Sequence, residues 1–320
     1  MPTPAATRLL HQCTRRPDGL ILSRDHRYLA DAAGIFRTLL RHGVLLKLSR
    51  GAFVEAEKYL PLPDWGRYNL DARAVGATEG RILAGYSAAA VHGLWRYLPV
   101  PASHTIYRRS TGHRIRTGPA LVELHAELPG HHRTTVDSQP VTTIERTIVD
   151  LTRVHGFGAG FVAACGALRA GLASIDGIRA HAQGRRGVTH LPLLLEHATP
   201  LVESALESIF LAQTVFFGGF EVIPQVEVEG ESGRKYRVDF QVEGTDQFVE
   251  LDGGGKYGSA EAEQRFVLAK EKTRSDELVR ASVRMNRFGY RDVVGFHAYR
   301  GMLHRLELPP RPHLPPIHFP

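Results

Sequence analysis

The chain has 320 residues, 43% hydrophobic and 23% charged, with a net charge of +7. That is the composition of an ordinary globular protein and argues against a disordered one. No apolar run reaches the length of a membrane span; the best candidate, 157–173, is rich in small residues and interrupted by Arg169. The first residues, MPTPAATRLLHQC, lack the long apolar stretch of a secretory signal. Two cysteines, Cys13 and Cys165, are too few and too scattered for a disulfide framework or a zinc site, so a reducing cytoplasm is the expected compartment.

The positive charge is unevenly spread. Residues 1–60 carry ten Lys/Arg against five Asp/Glu, whereas residues 201–300 carry thirteen against seventeen. A basic N-terminal end suits a polyanion, because neutralising phosphates releases counterions. A plain basic surface would look the same.

In chain order, a helical segment around 24–32 is expected to meet a turn at Ala33–Gly34. IFRTLLRHG (35–43) then puts Ile35, Leu39 and Leu40 on one helical face and Arg37 and Arg41 on the other. VLLKLSRGAFV (44–54) follows as two strands around Ser49–Gly51. Helix, tight turn, helix and β-wing is the order of a winged helix-turn-helix, whose second helix enters the major groove while the wing meets phosphate. Arg37, Arg41, Lys47 and Arg50 would then face DNA. The alternative is a small helical subdomain with a solvated basic face.

Breaks are expected near PLPDW (61–65) and GRRGVT (184–189). Between them, SAAAVHGLW (87–95) reads as helix, HTIYRR (104–109) as strand, and VTTIERTIVDLTRV (141–154) as a strand entering a helix capped by Thr142 or Thr143. His92, His131 and His132 show no ligand spacing, and no metal is assigned to them. The Pro/His-rich end, PPRPHLPPIHFP, should be extended and poorly ordered.

The third part carries the chemistry. LVESALESIFLAQTVFF (201–217) places apolar positions 202, 206, 209 and 210 at helical spacing, with Glu203 and Glu207 one turn apart. EVIPQVEV, KYRVDFQV and DQFVEL read as an antiparallel meander, followed by a helix over 259–281 and a last strand over 282–288. A two-residue type II′ turn at Glu243-Gly244-Thr245-Asp246 sets a register that puts Asp239 directly opposite Glu250. Like charges so placed are destabilising and need neutralising. A raised pKa would serve; so would Arg237, which this register sets opposite Asp252, or a divalent cation of the Mg²⁺ or Mn²⁺ kind, which favours converging carboxylates. Otherwise the acids are surface groups balanced by Arg237 and Lys256.

A helical Glu followed by D-x10-E-x-D and a Lys resembles the PD-(D/E)XK nuclease superfamily, most closely its very-short-patch-repair-like branch. The stretches that match are ESALESIF, YRVDF, VELDGGGKY and EKTRSDEL. The resemblance implies a restriction-endonuclease-like α/β domain over 195–306. Asp239 and Glu250 would be its metal-binding acids, Glu207 (or Glu203) its helical acid, and Mg²⁺ or Mn²⁺ its cofactor, with Asp252 as a third candidate ligand beside them. Asp252 stands where the superfamily pattern has a catalytic Lys, so Lys256 would have to supply that charge. LLRHGVLLKLSRGAFV, YSAAAVHGL and TTIERTIVDL resemble the AbiEi-type antitoxin/regulator family. The sequence therefore implies an α+β multidomain protein: a winged helix-turn-helix (1–60), a mixed α/β middle domain (66–190), the nuclease-like domain and a disordered tail (307–320). Two functions follow from the resemblances: a metal-dependent DNA endonuclease, or a catalytically inactive regulator or antitoxin that binds DNA and a toxin protein.

Overall fold

The computed structural model describes residues 4–77, 81–97, 99–108, 115–117, 121–124, 127–253, 274 and 276–309. It is a mixed α+β structure with one three-stranded, one six-stranded and one four-stranded sheet. The chain divides into two compact units, one of residues 1–94 and 99–150, the other of 95–98 and 151–320. The break expected near 184–189 is not where the units part. The division falls between Asp150 and Leu151, within a single helix.

The first unit opens with α1 (Pro4–Leu10), β1 (Ile21–Leu22) and a 3-10 turn (Ser23–His26). α2 (Ala32–Arg41), β2 (Leu45–Ser49) and β3 (Ala52–Glu55) follow. The expected turn at Ala33–Gly34 is instead the first turn of α2. Asp31 is the reason: its carboxylate accepts the Gly34 N–H at 3.0 Å, capping the helix just before those two residues. The helix stops at His42, and Gly43, with φ of 65°, turns the chain into β2. Phe36 and Leu39 are the buried residues of α2, and Phe36 stacks on Phe53 of β3 with ring centroids 4.8 Å apart. Each such side chain contributes about 2 kcal/mol by leaving water. The small sheet runs β1-β3-β2, all antiparallel.

A short helix, α3 (Ala56–Tyr59), and α4 (Asp64–Gly76) lead to the six-stranded sheet. Its strands are β4 (Arg81–Ala84), β5 (His104–Arg108), β6 (Ile115–Thr117), β7 (Leu121–Leu124), β8 (Arg133–Val136) and β9 (Gln139–Thr142). They are ordered β6-β7-β5-β4-β9-β8, with α5 (Gly85–His92) after β4 and α6 (Ile144–Val154) after β9. Thr143 caps α6, its hydroxyl accepting the Arg146 N–H at 3.3 Å. The phrase ERTIVD then buries an ion pair: Arg146 Nε donates to Asp150 at 2.9 Å, with both side chains fully buried. Tyr107 donates to the same carboxylate at 3.0 Å, and Arg146 Nη1 lies 3.0 Å from His132 Nδ1. This cluster ties α6 to the sheet. His92 serves a similar end, its ring nitrogen meeting the Thr142 carbonyl at 2.7 Å.

In the second unit α7 (Phe157–Arg169) is buried almost throughout because its Gly and Ala residues admit close neighbours. A Cβ added at Gly160 would lie 1.9 Å from the Thr152 hydroxyl. α8 (Ile175–Ala182) and α9 (Leu191–His197) lead to α10 (Ala205–Phe217), which packs against α7. The last sheet has β10 (Val222–Glu229), β11 (Lys235–Val242), β12 (Gln247–Asp252) and β13 (Arg284–Gly289) in that order. The first three are antiparallel, and β13 joins β12 in parallel. The expected 259–281 helix lies largely outside the described residues, although 276–280 are helical. Two short helices, α11 (Tyr290–Val294) and α12 (His297–Arg305), close the unit. Of the expected 307–320 tail, only 307–309 lie among the described residues. Among the described residues no helix is long and apolar enough to cross a membrane.

Candidate nucleic-acid interface and acid pair

Arg37 and Arg41 occupy the outer face of α2, one turn apart, because Phe36 and Leu39 take the inner one. Lys47 on β2 and Arg50 in the tight turn before β3 are likewise exposed. All four belong to one small subdomain, and none is ion-paired among the described residues. Nearby bases are used differently: Arg15 and Lys58 both meet Glu55, at 2.5 and 2.9 Å. The unpaired set is therefore distinct from the residues that hold the subdomain together.

The acid pair sits in the last sheet. Phe240 pairs with Val249 and Gln241 with Phe248, which is the expected register, and one further step brings Asp239 level with Glu250. Val238, Phe240 and Val249 are fully buried, and Phe240 meets Phe210 of α10 with centroids 5.4 Å apart. Strand alternation sends Asp239 and Glu250 together to the opposite side. The turn differs from expectation. Thr245 N–H donates to the Val242 carbonyl at 3.1 Å, so Gly244 is the second central residue, and its φ of 71° suits that position. The Thr245 hydroxyl, bonded to the Val242 carbonyl and the Gln247 N–H, fills out a longer loop without shifting the register.

Each carboxylate already has partners. Asp239 accepts the Leu251 N–H at 2.8 Å, taking the place of a backbone acceptor where the ladder ends. Glu250 receives Arg274 on one oxygen and Arg287, at 3.3 Å, on the other. Arg237 does not serve Asp252. It pairs with Glu203 at 2.7 Å, a carboxylate that also receives Arg169 at 2.9 Å. Asp252 is exposed at the end of β12, level with Gly289, and Lys256 lies outside the described residues.

Glu207 is buried for a local reason. Ser204 caps α10, its hydroxyl accepting the Glu207 N–H at 3.2 Å, while Glu207 accepts the Glu203 N–H at 2.8 Å. The spacing S-x-x-E is that of a capping box, but the Glu207 carboxylate reaches the N–H of Glu203, one residue before the cap. Glu207 also accepts the Ser204 hydroxyl at 2.7 Å and the Gln225 amide at 2.9 Å. Gln225 has a φ of 57° and lies level with Asp239, between the pairs Pro224–Phe240 and Val226–Val238. Gln225, Arg274 and Arg287 are the site residues that sequence reasoning missed.

Glu207, Asp239 and Glu250 each accept hydrogen bonds from protein donors. Among the described residues no group of three His, Cys, Asp or Glu side chains is placed to hold a metal. Two guanidiniums, Arg274 and Arg287, neutralise Glu250 in this arrangement.

No family model matches this chain, and no curated protein matches it. Among solved structures, it is similar to the crystal structure of the RV2827C protein from Mycobacterium tuberculosis. That likeness has 16% identity and a TM-score of 0.35 over 66% of this chain and 76% of the other.

Proposed function

We propose that the protein is a sequence-reading DNA-binding regulator whose N-terminal subdomain is a winged helix-turn-helix. The observation that carries this reading is the unpaired, exposed set Arg37, Arg41, Lys47 and Arg50 on one helix and the adjoining hairpin. The order helix, strand, short helical turn, helix and hairpin, with sheet order β1-β3-β2, supports it. In this reading α2 enters the major groove and the hairpin straddles the backbone, each cation displacing counterions from one phosphate. The nuclease-like unit is catalytically silent and contributes to partner contact, in the manner of an AbiEi-type antitoxin or regulator with a toxin as second partner. Duplex binding by fluorescence anisotropy, with and without the charges at Arg37, Arg41 and Arg50, tests the proposal.

One observation favours a second reading, the metal-dependent endonuclease: the pairs Phe240–Val249 and Gln241–Phe248, continued by one step, set Asp239 and Glu250 on one face. That activity would require Arg274 and Arg287 to release Glu250. Nicking of supercoiled plasmid in Mg²⁺ or Mn²⁺, abolished by Asp239→Asn, would establish it.

A further inference from the structure

β10 forms the outer edge of the last sheet, and among the described residues no strand pairs with its free side. None of its residues is buried, whereas β11 beside it alternates buried and open positions. At the start of β10 an open groove of about 500 Å³ is lined by Leu201, Leu211, Val215, Phe220 and Pro224. Leu201, in its lining, is 54% exposed and Ile223 of β10 is 42% exposed, more than large apolar residues need to be. The rim is acidic. Glu196 and Glu221 line the groove, and Glu227 and Glu229 occupy exposed positions further along the strand. Among the described residues only Glu227 of these has a cationic partner on the sheet, Lys235 at 3.2 Å. An apolar trough with a carboxylate border is unusual on a chain whose net charge is +7.

We infer that this edge docks an extended, basic segment of a partner protein. Backbone groups of β10 pair with the segment, an apolar side chain fills the groove, and Lys or Arg side chains meet the glutamates. The strand is shaped against indiscriminate pairing. Pro224 withholds an N–H, and the left-handed conformation of Gln225 bends the strand, so the edge is not a flat template for a like strand. Charge complementarity selects a cationic segment over an acidic one and over a second copy of the same glutamate-bearing edge.

The test uses the full chain and a labelled ten-residue peptide of alternating Val and Lys, with a Val/Glu peptide as control, read by fluorescence anisotropy. Saturable binding of the Val/Lys peptide alone is expected. It should weaken about tenfold in Glu221→Lys and also in Leu201→Glu, both surface changes that leave the melting temperature in place. Arg37, Arg41 and Arg50 charge removal should leave peptide binding intact, which separates this surface from the DNA reader. Absence of saturable binding, or binding indifferent to both groove variants, overturns the inference. So does a dimer in sedimentation that Leu201→Glu dissolves while the peptide fails to bind, because the groove would then serve a second copy.

Discussion

Arg287 reaches Glu250 from the next strand, at 3.3 Å, and the parallel register of β12 and β13 sets the two residues level. With Arg274 on the other carboxylate oxygen, two guanidiniums neutralise Glu250. Glu250 is thus a link between strands, with the guanidiniums as its counterions.

Thermal unfolding in Mn²⁺ or Mg²⁺ distinguishes the two roles. The melting temperature of the wild type should not respond to either ion. Glu250→Gln should lower it slightly, by about 1 kcal/mol in stability, because two partly exposed guanidiniums lose their charge partner. A metal-dependent rise that disappears in Glu250→Gln would restore the endonuclease reading, since a ligand at 100 times its dissociation constant stabilises by about 2.7 kcal/mol.

The N-terminal cap of α10 gives Glu207 a structural duty that can be measured. Ser204→Ala should cost about 1 kcal/mol of stability. Glu207→Gln should cost less, because the Gln amide oxygen can still accept the Glu203 N–H. Denaturant titration of both variants checks the order. A Glu207→Gln protein as stable as wild type but devoid of a nicking activity that wild type possesses would make Glu207 a catalytic acid.

Much of this site was legible in the sequence, and the missing parts share a cause. The β11–β12 register could be read because apolar alternation fixes which residues face α10, and a slip by one would bury Asp239. The guanidinium partners could not. Arg274 is 24 residues from Glu250 in sequence, and only the parallel return of β13 brings Arg287 alongside. Ala33–Gly34 was misread because its turn signal is local, while Asp31 just before it decides where α2 begins. The division between the units was hidden for a similar reason. α6 is one uninterrupted amphipathic helix, and no Pro or Gly marks the point between Asp150 and Leu151.

The buried cluster around Arg146 should be the costliest single site in the first unit. Arg146→Ala leaves Asp150 charged and without its ion-pair partner in the interior, a change worth about 3–5 kcal/mol. Equilibrium unfolding in urea should show that loss as a lower midpoint with an unchanged slope. A loss below about 1 kcal/mol would mean that the cluster is not holding α6 on the sheet.

Stability should fall on mild acidification. Burial holds His104 and His155 neutral, each with its pKa pushed down from 6.5 to about 4. Between those values the unfolded chain binds protons that the folded chain refuses, so stability is full above the unfolded pKa and declines as pH drops toward 4. Each histidine accounts for up to about 3 kcal/mol of that decline. Urea midpoints from pH 7 to pH 4 should trace it, and His155→Gln should flatten the slope. An unchanged slope in that variant would place the titrating group elsewhere.

The central claim is that α2 and the hairpin after it read DNA. Its most direct test is the salt dependence of duplex affinity for wild type and for the triple variant Arg37→Ala, Arg41→Ala, Arg50→Ala. Each phosphate contact contributes about 0.9 to the slope of log affinity against log salt, so losing three should reduce the slope by ~2.7. The account predicts that reduction, with weaker binding at every salt concentration and an unaltered melting temperature. A triple variant that binds duplex with wild-type affinity and slope would contradict it.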